Sequence, residues 1–236
     1  VADHPQTGRF MAAKLWNYYA GETPSEPLAD ALADVFHKNG RCFKPLLQAM
    51  FRSEEFYAPH LLRSQVKSPV QWLVGTVRML ECELPPALMC WGLTRNLGQD
   101  LFAPPNVKGW DGGWSWITTN NLLTRYNEAA ALVQGDPGMV AGVNLAPNPN
   151  VERRIANRMN RERLQPVDVE KIFSLTERTD KRALIAALER RLLQSSLKEK
   201  QKAALREYLD SQGELDANDI RGAIRLVMST PEYQLT

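Results

Sequence analysis

A chain of 236 residues that is 44% hydrophobic and 24% charged, with a net charge of +2, can bury the core of one large domain or two small ones. Its acids and bases are interspersed, which excludes the one-sided basic footprint of a nucleic-acid binder. No apolar run approaches the roughly 18–20 residues needed to span a bilayer, so no transmembrane segment is expected.

Apolar residues recur at helical spacing almost throughout. "PQTGRFMAAKLWNYYAG" places Met11, Leu15, Tyr18 and Tyr19 on one face, and Gly21 suits the left-handed end of a helix. "TPSEPLADALADVFHKNG" opens as a capping box, with Thr23 as cap, Pro24 at the first helical position and Glu26 reaching back. Leu28, Leu32, Val35 and Phe36 form its stripe, and Gly40 stops it. "FKPLLQAMFRSEEFYAP" predicts a third helix ending near Pro59. Ser68-Pro69 opens a fourth, with Val70, Leu73, Val74, Val77 and Leu80 in one stripe and Trp72 and Met79 off it. A helix apolar on most sides belongs in the core, and Gly75 leaves room for a close helical neighbour.

Past Pro85-Pro86, "ALMCWGLTRNLG" predicts a helix ended by Gly98. Residues 99–117 form a Trp-rich loop, after which Thr118 or Thr119 caps the helix "NNLLTRYNEAAALV". Residues 134–150, with three Pro, three Gly and three Asn, read as a loop or linker. Arg154, Arg158 and Arg161 then share one helical face, by default a solvated one, with an anionic partner as the alternative. Asp168 and Thr179 are caps, and Ser196 with Glu199 makes a second capping box. Leu184, Ile185, Leu188 and Leu192 form a clean stripe, as do Ile220, Ile224 and Val227. No strand hairpin is signalled. The expected fold is all-α, an irregular multi-helix bundle with a long Trp/Gly/Pro-rich loop. Its expected parts are a helical core region over 1–133, the 134–150 linker and a C-terminal helical region over 151–236. The two helical regions are expected to pack as one composite domain.

One internal echo stands out. "AMFRSEEFYA" (49–58) resembles "LVMSTPEYQL" (226–235). It reads as two similar helix ends, each folding an aromatic back onto the core, rather than as a duplication.

The three histidines, His4, His37 and His60, are not at metal-ligand spacing, and no nucleophile elbow, P-loop or dinucleotide fingerprint occurs. No cofactor and no metal are expected. His37 sits where a cation favours helix C-terminal carbonyls. Cys82 and Cys90 flank the Pro85-Pro86 corner. They read as a disulfide across it or as buried free thiols.

The candidate ligand-binding residues are Trp110, Asp111, Trp114, Trp116, Asn106, Asn120 and Asn121. Trp114 and Trp116 alternate, so an extended backbone would present both rings on one side. Flat aromatic faces beside Asp and Asn suit a sugar ring, and a helix start at Thr119 adds backbone donors for an anion. Asp111 with a second acid such as Asp100 would suit a polysaccharide hydrolase or lyase. The structural alternative is equally physical: large aromatics hold down an irregular loop. In that reading Trp116 or Ile117 staples onto Leu122 or Leu123 at the helix entry.

"LGQDLFAPPNVKGWDGGWSWITTNNLLTRYN" resembles the signature of the bacterial family called domain of unknown function 1800. The matching residues are Gly98-Gln99, Phe102, Pro105-Asn106-Val107, Gly109-Trp110, Gly112-Gly113 and Trp116. "HPQTGRFMAAKLWNYYAG", "LLQAMFRSEEFYAP", "VKSPVQWLVGTVRML" and "STPEYQ" are similar to it as well, while residues 135–215 match less clearly. Members run to about twice this length, so the chain looks like their C-terminal part. It starts at Val1, as a processed chain or an excised fragment would. The resemblance implies an exported protein, periplasmic or extracellular, with a sulfatase-like partner of the family called domain of unknown function 1501. It implies no established activity and transfers no catalytic residue. The expected function is a non-catalytic helical module binding a partner protein or a glycan. The alternatives are the Asp111 hydrolase or lyase and a structural half of a larger domain.

Overall fold

The computed structural model describes residues 4–136, 164–193 and 195–236. The chain forms two compact units, Val1–Gln65 with Leu235–Thr236, and Val66–Gln234. Helices and short 3-10 turns make both, with no strand among the described residues. The fold is all-α, as the periodicity predicts. The 134–150 linker from residue 137 onward lies outside the described residues, as does the Arg154, Arg158 and Arg161 face.

The first unit holds α1 (Pro5–Ala20), α2 (Glu26–Lys38) and α3 (Phe43–Met50). His4 caps α1 through Nδ1, which accepts from the Gln6 N–H at 3.2 Å. Gly21 ends it at φ 80°. The buried face of α1 is Gly8, Ala12, Trp16 and Ala20, whereas Tyr18 and Tyr19 are exposed. The expected Met11–Tyr19 face is therefore rotated. Small residues let α2 come close, and Trp16 supplies the volume that periodicity alone had assigned to the tyrosines. A Cβ on Gly8 would stand 2.5 Å from His37 Nε2. His37 reaches the Pro5 carbonyl at 3.2 Å instead of the last carbonyls of its own helix.

Ser25, not Thr23, caps α2. A start at Pro24 would put Pro27 at the fourth position, whose N–H makes the first intrahelical bond. Starting at Glu26 puts Pro27 where its missing donor costs nothing. Glu26 pairs with Arg9, which also meets Asp30 at 2.7 Å. The third helix stops at Met50, short of Pro59, and 3-10 turns follow at Glu55–Tyr57 and Pro59–Leu61.

The second unit begins with α4 (Pro69–Met79), entered through the Ser68 and Gln71 capping box. Trp72 lies inside, with Leu73, Thr76, Val77 and Leu80, while Val74 is exposed. Among the described residues, a Cβ on Gly75 would meet only Met79 of its own helix, so none of them is the expected close neighbour. Next come α5 (Ala87–Asn96) and α6 (Thr119–Gln134), then α7 (Val169–Ile172), α8 (Leu175–Thr179) and α9 (Lys181–Leu188). A π turn over Glu189–Leu193, α10 (Glu199–Ser211) and α11 (Ala217–Met228) complete it.

Asp168 caps α7 as expected. Thr179 is instead the last residue of α8, and Asp180 caps α9, because its carboxylate accepts from both the Arg182 and Ala183 N–H groups. The Ser196 and Glu199 box does not form. Leu197 is buried with its N–H on Glu189 Oε1 at 2.8 Å, and Gln201 Oε1 accepts from the Lys198 N–H. The stripes Leu184, Ile185, Leu188, Leu192 and Ile220, Ile224, Val227 are buried as predicted. Cys82 and Cys90 are half-buried free thiols, so no disulfide closes the corner. Cys90 Sγ donates to the Pro85 carbonyl at 3.1 Å, and burial raises both thiols above their ordinary pKa.

The internal echo is a matched pair of helix ends. Ser53 Oγ donates to the Met50 carbonyl, and Thr230 Oγ1 to the Val227 carbonyl. Both chains then enter 3-10 turns. Phe56 folds edge-on to Trp16 at 5.8 Å, and Tyr233 is fully buried.

Candidate functional site

The Trp-rich segment is a succession of tight turns anchored at both ends. Asp100 starts it: its carboxylate accepts from Trp91 Nε1 at 2.8 Å and faces Arg95 Nε at 3.5 Å. The Ala103 N–H closes a turn onto the Asp100 carbonyl, with Phe102 third in it at φ 65°. That position favours Gly or Asn, and a left-handed Phe costs about 1 kcal/mol. The Phe102 ring is 98% exposed, so no burial offsets the strain. The next turn closes through the Gly109 N–H onto the Asn106 carbonyl, and its second residue, Val107, is fully exposed.

Gly112 (φ 74°) and Gly113 (φ 54°) then lead into a 3-10 turn, Gly113–Trp116. The expectation of an extended backbone with both rings on one side is overturned here. A 3-10 turn advances about 120° per residue, so Trp114 and Trp116 diverge. Trp114 is 75% exposed and Trp116 only 6%. The Trp116 ring packs on Gly98, where an added Cβ would lie 3.5 Å from it. Thr118 caps α6, its Oγ1 accepting from the Asn121 N–H at 3.1 Å. Ile117 and Leu122 thus occupy the two staple positions.

The remaining site residues are dispersed among local roles. Trp110 is half-buried and Asn120 exposed. Asn106 Oδ1 accepts from the Lys108 N–H at 2.9 Å, and Asp111, exposed, is held by Lys108 Nζ at 2.9 Å. Asn121 Nδ2 donates to the Leu97 carbonyl at 3.2 Å. Asp100 and Asp111 therefore each have their own cationic neighbour. Thr118 takes one of the α6 N-terminal donors that were expected to serve an anion. The residues that stand free are Phe102, Val107 and Trp114, and two of these were not among the expected contacts. For Val107 and Trp114 the turn spacing of Gly109, Gly112 and Gly113 carried the signal, since tight turns put the residue between their ends outward, whereas the Phe102 turn contains no glycine.

Sequence reading also missed a set of buried charges in the second unit. Lys67 Nζ donates to the Tyr233 carbonyl at 2.7 Å and lies 4.2 Å from that ring's centroid. Arg125, wholly buried, donates to the Lys67 carbonyl at 2.7 Å and to Gln234 Oε1 at 3.2 Å. Burial, reinforced by the Arg125 charge, brings the Lys67 ammonium down to about 8, and burial alone brings Arg125 down to about 10. Thr76 Oγ1 gives its proton to the Trp72 carbonyl, so the Tyr233 hydroxyl donates to Thr76 at 2.6 Å. Glu128 is 7% exposed, has no hydrogen-bond or ionic partner among the described residues, and is pushed up by burial to about 7. No group of His, Cys, Asp and Glu among the described residues fits a metal ion. No described helix is long and apolar enough to cross a membrane.

No curated protein and no solved structure matches the chain. A family model does: the one described as "Protein of unknown function (DUF1800)" matches residues 1–235. The narrower expectation of a C-terminal part is slightly off, because the matched residues run through essentially the whole chain, including the weakly resembling 135–215. On that match, with the Gly98–Trp116 motif folded as the anchored turns described above, the chain belongs to the DUF1800 family of proteins of unknown function.

Proposed function

We propose that this chain is a non-catalytic helical binding module that docks a partner protein through the turn tips of residues 101–114. The single observation behind this reading is Phe102, held in a left-handed turn with its ring in water. Backbone strain with no packing return is a feature of recognition sites. Val107 and Trp114 are further exposed apolar side chains of the same segment. Export, and a sulfatase-like partner of the domain of unknown function 1501 family, belong to this proposal by family resemblance.

A glycan is the second reading, favoured by the exposed Trp114 ring with Asn120 and Asp111 in the same stretch of chain. The test is titration calorimetry against a sulfatase-like protein of that family encoded in the same genome, beside a glycan array. Protein binding abolished by Phe102→Gly and Trp114→Ala supports the docking reading. Array binding lost only in Trp114→Ala supports the glycan. Binding that both variants retain removes the segment as the site.

A further inference from the structure

We propose that the second unit carries a separate site, a cleft that takes a primary aliphatic amine with its ammonium group against Glu128. Glu128 lines a cavity of about 10 Å³, room for one water-sized group. Leu73, Met89, Leu93 and Leu132 wall it. The other acid on its wall is Asp136, and no Lys or Arg stands among the described residues around it. A buried carboxylate without a partner is costly, and a cation neutralises its charge, which a water in the same space does not.

The cavity shares two of its wall residues with a wider neighbour. Leu132 and Leu164 also border an open cleft of about 450 Å³, rimmed by Glu81, Glu83, Asp168 and Lys171. Glu81 is held by Arg191 at 3.0 Å, and one Asp168 oxygen caps α7. Glu83 is exposed and has no partner among the described residues. Lys171 also stands 4.0 Å from Glu81, so three carboxylates against Lys171 and Arg191 leave the rim one net negative charge that attracts cations.

The ligand chemistry follows from this order of surfaces. An ammonium head the size of water meets Glu128, an aliphatic stem lies along Leu132 and Leu164, and the tail occupies the wide cleft. A second ammonium on the tail faces the acidic rim, so a diamine binds better than a monoamine. An anionic or purely apolar ligand has no counterpart for Glu128.

The probes are n-butylamine, 1,4-diaminobutane and n-butanol, titrated calorimetrically at pH 8 into the intact chain. Trp114→Ala serves as the control for the other site. The amines bind, the diamine more tightly, and butanol does not. Glu128→Gln weakens the amines by at least about tenfold, Leu132→Phe does so by filling the space between Glu128 and the cleft, and Trp114→Ala leaves them unchanged. No amine heat in the folded wild-type chain overturns the assignment. So does equal affinity in Glu128→Gln, or butanol binding as well as butylamine.

Discussion

Arg125 and Glu128 stand one turn apart on α6, both buried, and do not pair. Residues three apart on a helix are neighbours, yet the Arg125 guanidinium goes to the Lys67 carbonyl and Gln234, and the Glu128 carboxyl faces the cavity beside α5. One helix thus carries a cation and an acid, neither with an ionic partner among the described residues, toward different elements. The stability of the chain should therefore depend on pH with two opposite slopes.

The first slope belongs to Glu128. Its folded pKa, about 7, lies above the ordinary 4.5, so the folded state holds more protons between those values. Stability is then lost as pH rises from about 4.5 to 7. At about 1.4 kcal/mol per pH unit, the loss reaches up to about 3 kcal/mol. Glu128→Gln removes this limb, so urea melts at pH 5 and pH 8 give it a smaller difference than wild type. An unchanged difference would mean that Glu128 is solvated.

Lys67 has the opposite sign. Its folded value, about 8, lies below the ordinary 10.5, so the unfolded state holds more protons in that window and stability rises with pH through it. The combined curve has a trough between about pH 7 and 8. Lys67→Met flattens the alkaline limb and loses the bond to the Tyr233 carbonyl, a cost of about 1 kcal/mol. Melts from pH 7 to 10 check both effects.

At Phe102 the backbone and the side chain make separate predictions. Phe102→Gly relieves the left-handed strain and removes only an exposed ring, so stability is unchanged or rises by up to about 1 kcal/mol. Partner binding is lost in the same variant. A destabilised Phe102→Gly would show that the ring packs on the fold.

The two tryptophans of the 3-10 turn should separate cleanly. Trp116→Ala costs about 3–5 kcal/mol, as for other buried aromatics, while Trp114→Ala stays within about 0.5 kcal/mol. Denaturant melts measure both, and the same proteins report the turn by fluorescence, since Trp114 is in water and Trp116 is not.

In the first unit, Gly8→Ala drives a methyl into the His37 ring and costs about 1–3 kcal/mol. The readout is a lower midpoint in thermal unfolding. Pairing it with His37→Ala restores part of the loss, because the clash and the Pro5 bond go together.

Much of this molecule was legible from local pattern. The helix start at Ser68-Pro69, Gly21, Asp168 and the Leu184–Leu192 stripe fell where spacing put them. Caps and periodicity depend on residues within one or two turns, so sequence contains everything that decides them. The 98–116 motif identified the family for the same reason. The choice between Thr23 and Ser25 was nearly local too, and Pro27 resolves it once its missing N–H is counted.

What the tertiary structure alone decided is which surface each element buries. Trp16 went inside and Tyr18 out, Trp116 in and Trp114 out, and Arg125 and Glu128 were buried without each other. Burial is a sum over neighbours distant in the chain: Gly98 beneath Trp116, Gln234 beside Arg125, Leu164 along the Glu128 cleft. The sequence by itself determined the helices, their caps and the family. Only the packing of those helices turned a tryptophan-rich loop into one anchor with three exposed tips, and placed an acid in an apolar pocket where its charge lacks a partner among the described residues.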